Sequence, residues 1–496
     1  MDTYTILLGL LFGLTTFVVV TSLSRKKKNL PPGPSPLPII GSLHLLGGQA
    51  LLSLLNLTNK YGPIMCLNLG SIPTVIVSAP NIAREFLQKN DLAFSGKRIP
   101  DALHAHDHFR YSVSWLPANT QWRSIRKVLT SNIFTNNRLE ANQHLRSRKV
   151  QELIVFCDKS CKTGEAIEVG QAFFRTTLNL LSNTIFSKDL TDHSMKTKAA
   201  EEFKDCVWNI LVESAKPNLV DFFPVLRVFD PQGIRKRNTA LFGKILDIFD
   251  GLINERMEQR KLNGFRNNDV LDIFLTYQEE HPDELDTKHV KHSLMDLFIA
   301  GVDTTASISE WALAELIKNP EIMKRAKNEL EDVIGKGKVL EEEDISRLPY
   351  LRNIVKETLR LHPPGPFLFP RQPEKDVEVC GYTIPKGSQV LVSIWALGRD
   401  PNLWEDPFMF KPERYEKSEL DFRGHNFELI PFGAGRRICP GIPLAVKMVP
   451  LMLGSMINSF NWELEGAMKP EELNMAERIG LTLQMAFPLR AVPVPL

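Results

Sequence analysis

Residues 4–23 form an apolar run without a single charged side chain. At a helical rise of about 1.5 Å per residue such a run reaches roughly 30 Å, the thickness of a bilayer's hydrocarbon core, which predicts a membrane-spanning anchor over residues 1–24. Arg25, Lys26, Lys27 and Lys28 follow at once, whereas the leading end carries only Asp2. That asymmetry orients the remainder of the chain to the cytosol. A cleaved signal peptide would need a basic leading end and a small-x-small cleavage site, and the sequence lacks both.

Beyond the basic cluster the pattern changes to Pro31-Pro32-Gly33-Pro34-Ser35-Pro36-Leu37-Pro38. Fixed φ angles and missing donors rule out helix there and predict stiff extended chain, so residues 25–38 make a hinge that spaces the anchor from the body. No Gly/Ser linker and no repeat divides the remaining chain, which predicts one domain over residues 39–496. Inside it, residues 294–318 predict a long, mostly apolar helix interrupted by Ala300-Gly301-Val302-Asp303-Thr304-Thr305. Glycine costs about 1 kcal/mol in a helix, and threonine bonding back to the carbonyl four residues earlier bends it. A local rule broken in this way points to a functional site, the plain alternative being a kinked core helix with a solvated Asp303. Ala300 and Thr304 lie four apart on one face, so a small residue opens space for a ligand while a hydroxyl points into it.

Composition narrows the function classes. Hydrophobic residues make up 43% of 496, enough for a large core. Lys and Arg number 60 against 58 Asp and Glu, and a net charge of +2 gives no field to attract a polyanion, which excludes nucleic acid as a partner. Six thinly spread cysteines do not form a disulfide framework and indicate a reducing compartment. The sequon Asn56-Leu57-Thr58 would then stay unglycosylated.

The candidate chemistry concentrates in Pro431-Phe432-Gly433-Ala434-Gly435-Arg436-Arg437-Ile438-Cys439-Pro440-Gly441, ahead of an apolar helical run from Leu444 onward. A flat cofactor seated on one sulfur needs backbone close by, which accounts for glycines at 433, 435 and 441. Peptide N–H groups and the N-terminus of the following helix would favour negative charge on that sulfur, and Arg437 could pair with a cofactor carboxylate. Phosphate binding is set aside because no strand precedes this Gly-x-Gly and no third glycine completes a dinucleotide fingerprint.

The segment from Phe432 to Gly441 resembles the signature loop of the cytochrome P-450 superfamily, Phe-x-x-Gly-x-Arg-x-Cys-x-Gly, at every fixed position. The likeness runs from about residue 30 to the end of the chain. It implies a mainly α, single-domain fold with small β-sheets behind an N-terminal transmembrane helix. It implies a haem-thiolate monooxygenase with haem b (iron protoporphyrin IX), Cys439 as the metal ligand, and O2 and NADPH-derived electrons as co-substrates. Trp122 and Arg126 match a Trp-x-x-x-Arg motif whose members reach the haem propionates, and Arg371, after His362-Pro363-Pro364-Gly365-Pro366, matches a third such contact. Arginine suits that task because its planar fork binds carboxylates and keeps its charge. Phe432, Arg437, Gly441 and Ala300 complete the implied cofactor contacts. Glu357 and Arg360, at i and i+3 in a probable helix, are by themselves an ordinary pair; with Arg414 of Pro412-Glu413-Arg414-Tyr415 the resemblance makes them a structural ion network. Asp303 and Thr304 take the positions that support proton delivery to bound dioxygen.

No flavin or nicotinamide fingerprint is present, so electrons come from a separate protein. The resemblance implies an NADPH-dependent flavoprotein reductase, docking where Lys127, Arg423, Arg436 and Lys447 offer either a basic patch or merely solvated charges. It also implies a single-pass endoplasmic reticulum membrane protein in contact with lipid, its catalytic domain on the cytosolic face. Substrate selection is expected from Leu103, His106, Phe109, Val113 and Leu116 in one loop. Phe298 and Ala300, Phe367 and Leu368, and Ile479 and Leu481 complete the set. Most are apolar, which suits a lipophilic small molecule. His104-Ala105-His106-Asp107-His108 has the alternation of a metal-binding strand, but a histidine donating to a substrate oxygen is the stronger reading.

Asp221-Phe222-Phe223-Pro224, Asp230-Pro231-Gln232-Gly233 and Asp272-Ile273-Phe274-Leu275 are similar to the plant branch containing geraniol hydroxylase and ferruginol synthase. That likeness implies terpenoid oxidation, with an abietane diterpene such as 11-hydroxyferruginol, attacked at C20, as the sharpest expectation. Geraniol-type monoterpenoids and phenylpropanoids or flavonoids are the alternatives. A haem-binding sensor, or a relative acting on peroxides, is the rival class; the intact Asp303-Thr304 pair argues against it.

Overall fold

Gly70, at a φ of +60°, turns Ile64–Leu69 (β1) back on Ile72–Val77 (β2) as an antiparallel pair, with Ile64 opposite Val77. Gln389–Val392 (β3) joins β2 in parallel. The computed structural model describes Gly9 and residues 29–190, 198–264 and 266–496. Apart from Gly9, the anchor expected over residues 1–24 lies outside the described residues, as does the basic cluster.

Six helices build the site. Thr120–Val128 (α1) starts at Asn119, whose side chain accepts the Trp122 N–H at 2.9 Å, the ordinary way to satisfy a free helix-terminal donor. Val169–Phe186 (α2) and Ile234–Asn263 (α3) come next. Thr287–Lys318 (α4) is the central rod, capped by the Asp286 carboxylate on the His289 N–H at 2.9 Å and closed ahead of Pro320. Pro349–Leu361 (α5) and Ile442–Ser459 (α6) each carry proline in the first turn, where its missing N–H costs nothing. A hairpin of Glu477–Ile479 (β4) and Leu483–Met485 (β5) lies on α4, its Leu483 carbonyl accepting from Ser307 Oγ at 2.7 Å and Trp311 Nε1 at 3.0 Å.

Two expectations change. α4 begins seven residues earlier than the sequence pattern suggested and runs through Ala300–Thr305 as continuous helix. Thr304 does bond back to the Ala300 carbonyl, at 2.6 Å, but Gly301 serves packing: a Cβ there would meet Leu181 Cδ1 of α2 at 2.7 Å. Glycine here lets two core helices approach. The proline-rich stretch is extended, as expected, yet it is fastened to the body. Asn29 Nδ2 donates to the Gly381 carbonyl at 2.6 Å, the Thr383 N–H to the Asn29 carbonyl at 2.7 Å, and the Cys66 N–H to the Pro32 carbonyl at 2.8 Å. α6 has the length and apolarity to cross a membrane, but 61% of it is buried inside the protein, which makes it a core helix.

Candidate functional site

The loop before α6 is shaped by its glycines. Gly433 and Gly435 sit at φ +75° and +70°, values that L side chains rarely adopt. A Cβ on Gly435 would also lie 2.1 Å from the Leu87 carbonyl oxygen. So bent, the loop closes with the Cys439 N–H on the Phe432 carbonyl at 3.0 Å. The sulfur of Cys439 faces the N–H groups of Gly441 and Ile442 at the start of α6. Burial raises its pKa, while those two donors and Arg126 act against the rise. A Cβ on Gly441 would stand 3.6 Å from the sulfur, so glycine keeps that flank clear. Phe432 supports the loop against Phe422, ring centres 5.5 Å apart.

Around the loop gather four cations. Arg126 of α1 donates to the Ile438 carbonyl. Arg437 donates to the Leu116 carbonyl at 2.6 Å and lies over the Trp122 ring at 4.5 Å. Arg371 reaches the Phe94 carbonyl at 3.3 Å. Lys97 stands over Phe369 at 4.3 Å. Burial, and then their mutual repulsion, pushes Arg437 down to about 9 and Lys97 well below the usual lysine value; burial alone takes Arg371 to about 10. Nε and Nη1 of Arg437 and Nε of Arg371 are buried without a hydrogen-bond partner. Buried, unpaired guanidinium donors are costly unless an anion joins them. A porphyrin carrying two propionates beside a cysteine sulfur supplies that charge, so the residues present fit haem. Lys97 was missed in the sequence because a lysine between Gly96 and Arg98 looks merely solvated.

The brace expected from Glu357, Arg360 and Arg414 is assembled. Arg360 of α5 grips Glu357 through two bonds of 2.8 Å, and Arg414 Nε adds a third at 3.0 Å. Arg360 also donates to the carbonyls of Gly398, Pro407 and Met409, tying α5 to the segment that leads to the cysteine loop.

On α4 the residues separate by helix face. Ala300 is exposed and Thr304 half-buried, and their four-residue spacing puts the two on one helix face, where they form an open stripe. Asp303 points elsewhere. It is neither solvated nor beside Thr304: it accepts from Thr482 Oγ1 at 2.7 Å and Gln484 Nε2 at 3.1 Å, and burial raises its pKa. Phe298 is 1% exposed and packs on Phe186, Phe203 and Phe249, so its ring belongs to the core behind the stripe rather than to a ligand-facing surface.

The remaining expected contacts divide in the same way. Leu103, Phe109 and Val113 are half-buried, and Leu116 is buried with its carbonyl on Arg437. Leu368 lies against Gly433, and Phe367 packs near β1. Ile479 and Leu481 stand exposed at the end of the β4–β5 hairpin. The histidine tract is not a strand. It is a pair of 3-10 turns kinked at Ala105–Asp107, and its rings diverge. His104 meets the Phe109 ring at a tilt, centres 4.6 Å apart, His106 Nε2 meets the Thr239 carbonyl of α3 at 2.9 Å, and His108 turns inward. His106 is therefore engaged with α3 and not turned toward the stripe, and no metal-holding group of side chains exists among the described residues. Of the four basic side chains expected to greet a reductase, Arg436 is paired with Asp91 at 2.6 Å and Lys447 with Glu342 at 2.8 Å. Lys127 remains exposed, and Arg423 sits 3.5 Å from Asp421.

Comparison with known proteins adds what geometry cannot. A model of the cytochrome P450 family matches residues 31–485. Geranylhydroquinone 3''-hydroxylase of Arnebia euchroma is 66% identical over 100% of this chain and 99% of its own length. Geraniol 8-hydroxylase of Catharanthus roseus is 62% identical over 99% of each, and 7-ethoxycoumarin O-deethylase of Helianthus tuberosus is 53% identical over 95% of each. Among solved structures, a zebra fish cytochrome P450 with progesterone superposes with a TM-score of 0.76 over 90% of this chain and 99% of that one, at 24% identity, a likeness of fold alone.

Proposed function

Because this chain belongs to the cytochrome P450 family, and is thus a haem-dependent monooxygenase drawing NADPH-derived electrons through a reductase, we propose that it hydroxylates a C–H bond on a geranyl-type terpenoid chain. The balance is R–H + O2 + NADPH + H+ giving R–OH + H2O + NADP+. One observation carries the substrate class: two relatives above 60% identity along essentially the whole chain are named for geraniol and for geranylhydroquinone, both of which bear a geranyl group.

Bound haem supplies the dioxygen-binding iron and the oxidising power that the side chains lack. The protein supplies position and protons. Cys439 offers the sulfur, with two helix-terminal N–H groups to steady its charge. Lys97, Arg126, Arg371 and Arg437 would hold the propionates. Thr304 presents a hydroxyl on the open stripe, its proton on the Ala300 carbonyl and its lone pairs available to a proton donor. Asp303, held by the β4–β5 hairpin, acts on that site only after leaving Thr482 and Gln484. Apolar Leu103, Val113 and Leu368 suit a lipophilic substrate and exclude water.

Exposed apolar residues support a membrane seat. Val225, Val228 and Phe229 are 79%, 84% and 76% exposed, larger apolar display than a free surface usually tolerates. They come just after Phe222, whose carbonyl accepts the Ser71 N–H at the β1–β2 turn, and the strand end Leu69 bridges Gly41 just after exposed Leu37 and Ile39. This common apolar side, with the anchor expected from the sequence over residues 1–24, supports reading the chain as a single-pass protein on the cytosolic face of the endoplasmic reticulum, with a membrane-bound flavoprotein as electron donor.

The test is reconstitution in microsomes with an NADPH-dependent reductase, offering geraniol, geranylhydroquinone and 11-hydroxyferruginol and monitoring a one-oxygen mass gain. The expected result is NADPH-dependent hydroxylation of a geranyl substrate. Turnover of the abietane alone would replace the geranyl reading, and no product from any terpenoid would end it. In the same system Thr304→Ala is expected to go on consuming NADPH while forming less product and more hydrogen peroxide. Fully coupled turnover would remove Thr304 from proton handling.

A further inference from the structure

Between the substrate-facing loop and α4 lies a polar cluster that the proposed mechanism does not use. His108, Ser112, His292 and Asp296 are 1%, 0%, 3% and 7% exposed. The Asp296 carboxylate accepts from Ser112 Oγ at 2.6 and 2.8 Å, from the Ser114 N–H at 3.2 Å, and meets His108 Nε2 at 3.2 Å. The other nitrogen of that ring, Nδ1, meets His292 Nδ1 at 2.9 Å. Burial, and next the neighbouring His108, pushes His292 down to about 2, so it is neutral. With His108 Nε2–H given to Asp296, the two Nδ1 atoms face each other as one donor and one acceptor. Phe242 meets the His108 ring edge-on at 5.3 Å, and Tyr111 stacks on His292 at 5.2 Å.

Placement gives the cluster its importance. Asp296, Ala300 and Thr304 are spaced by four, so the anchoring carboxylate lies on the helix face that carries the open stripe. Residues 101–116 are thus pinned to the same stripe. Within them His106 and Asp107 have φ of +48° and +53°, a left-handed backbone that non-glycine residues adopt only where surroundings impose it. Of the expected substrate contacts, Phe109 and Val113 stand between these ties and Leu103 ahead of them, and none of the three makes these bonds.

We propose that His108, Ser112 and Asp296 are positioning residues that set which carbon is hydroxylated, by fixing the height of the 101–116 loop above the Ala300–Thr304 stripe. The proposal rests on reading that stripe as the oxygen side and deepens the proposed terpenoid hydroxylation.

The test uses the full chain in microsomes with reductase and three substitutions. Ser112→Ala deletes the hydroxyl whose one hydrogen is shared between the two Asp296 oxygens. His108→Phe keeps a ring against Phe242 but no donor, and His108→Gln restores a donor toward Asp296. All three should retain the carbon monoxide spectrum of a ferrous thiolate haem. For Ser112→Ala and His108→Phe, KM is expected to rise about tenfold with kcat within about threefold, and the ratio of hydroxylated regioisomers to change at least about fivefold. His108→Gln should return that ratio to within about twofold of the original. Without substrate, hydrogen exchange across residues 101–116 should speed up about tenfold in Ser112→Ala. Faster exchange with an unchanged regioisomer ratio would reduce the cluster to a structural tie, and unchanged exchange and KM would overturn the proposal outright. Should His108→Phe fail to fold, Ser112→Ala decides alone. Should the unaltered enzyme ignore geraniol, the substrate reading fails, and this one is decided by the exchange measurement and by KM and product ratio with whichever probe it accepts, 7-ethoxycoumarin first.

Discussion

Cys439→Ala is expected to lose the red-shifted carbon monoxide band of a ferrous thiolate haem and to leave monooxygenase activity at background. The other described cysteines, at 66, 157, 161, 206 and 380, lie outside the loop that the cations surround. Burial pushes the Cys66 and Cys206 thiols up to about 11 and Cys157 to about 12, with no helix-terminal N–H groups aimed at them; Cys439 alone has two such donors and a nearby guanidinium. Thiolate ligation is what gives the iron its oxygen-cleaving electron donation. Cys439→His separates loss of ligation from loss of fold: it should hold haem through nitrogen, shift the band and make no product. Retention of the thiolate band in Cys439→Ala would refute the assignment.

Glu357→Gln carries the second large effect. Glu357 and Arg360 are both 0% exposed at their side chains, and removing one partner of a buried pair leaves an uncompensated charge at a cost of about 3–5 kcal/mol. That is a large part of the roughly 5–15 kcal/mol that holds a typical fold. Expected are a lower urea midpoint and a collapse in haem-loaded yield, measured by the carbon monoxide band per unit of protein. Arg360→Lys should not preserve stability, because a lysine has three donors and no fork, whereas Arg360 serves Glu357 twice and three backbone carbonyls besides. An unchanged midpoint and haem content in Glu357→Gln would mean that the brace is dispensable.

What the sequence disclosed, it disclosed locally. The cysteine loop was legible because a backbone that must double back near a sulfur leaves few residue types, and the glycines at 433 and 435 bear positive φ. Ala300 and Thr304 were legible because four-residue spacing fixes a shared face. The same periodicity sets Phe298 about 200° from Ala300 at 100° per residue, on the closed side, a phase that the functional motif overshadowed. The weaker reading of the histidine tract, a metal-binding strand, fails because alternation puts side chains on one face only where the backbone is extended, and here it folds into kinked turns. Lys97 and the His108–Asp296 cluster were invisible for a different reason. His108 and His292 stand 184 positions apart, and only tertiary packing brings such residues within a hydrogen bond. The Glu357 brace lies between these cases: its first two members share a helix turn, while Arg414 joins from 57 residues away.

The fastening of the proline-rich strap changes how the catalytic body is mounted. A free spacer would let the body pivot on a leash, sampling every tilt above a membrane. With Asn29 stitched to the hairpin at Gly381 and Thr383, and Pro32 to Cys66, the slack is gone. From Asn29 onward the strap therefore adds no free length, and cutting the Asn29 stitch would return several residues of slack to the tether.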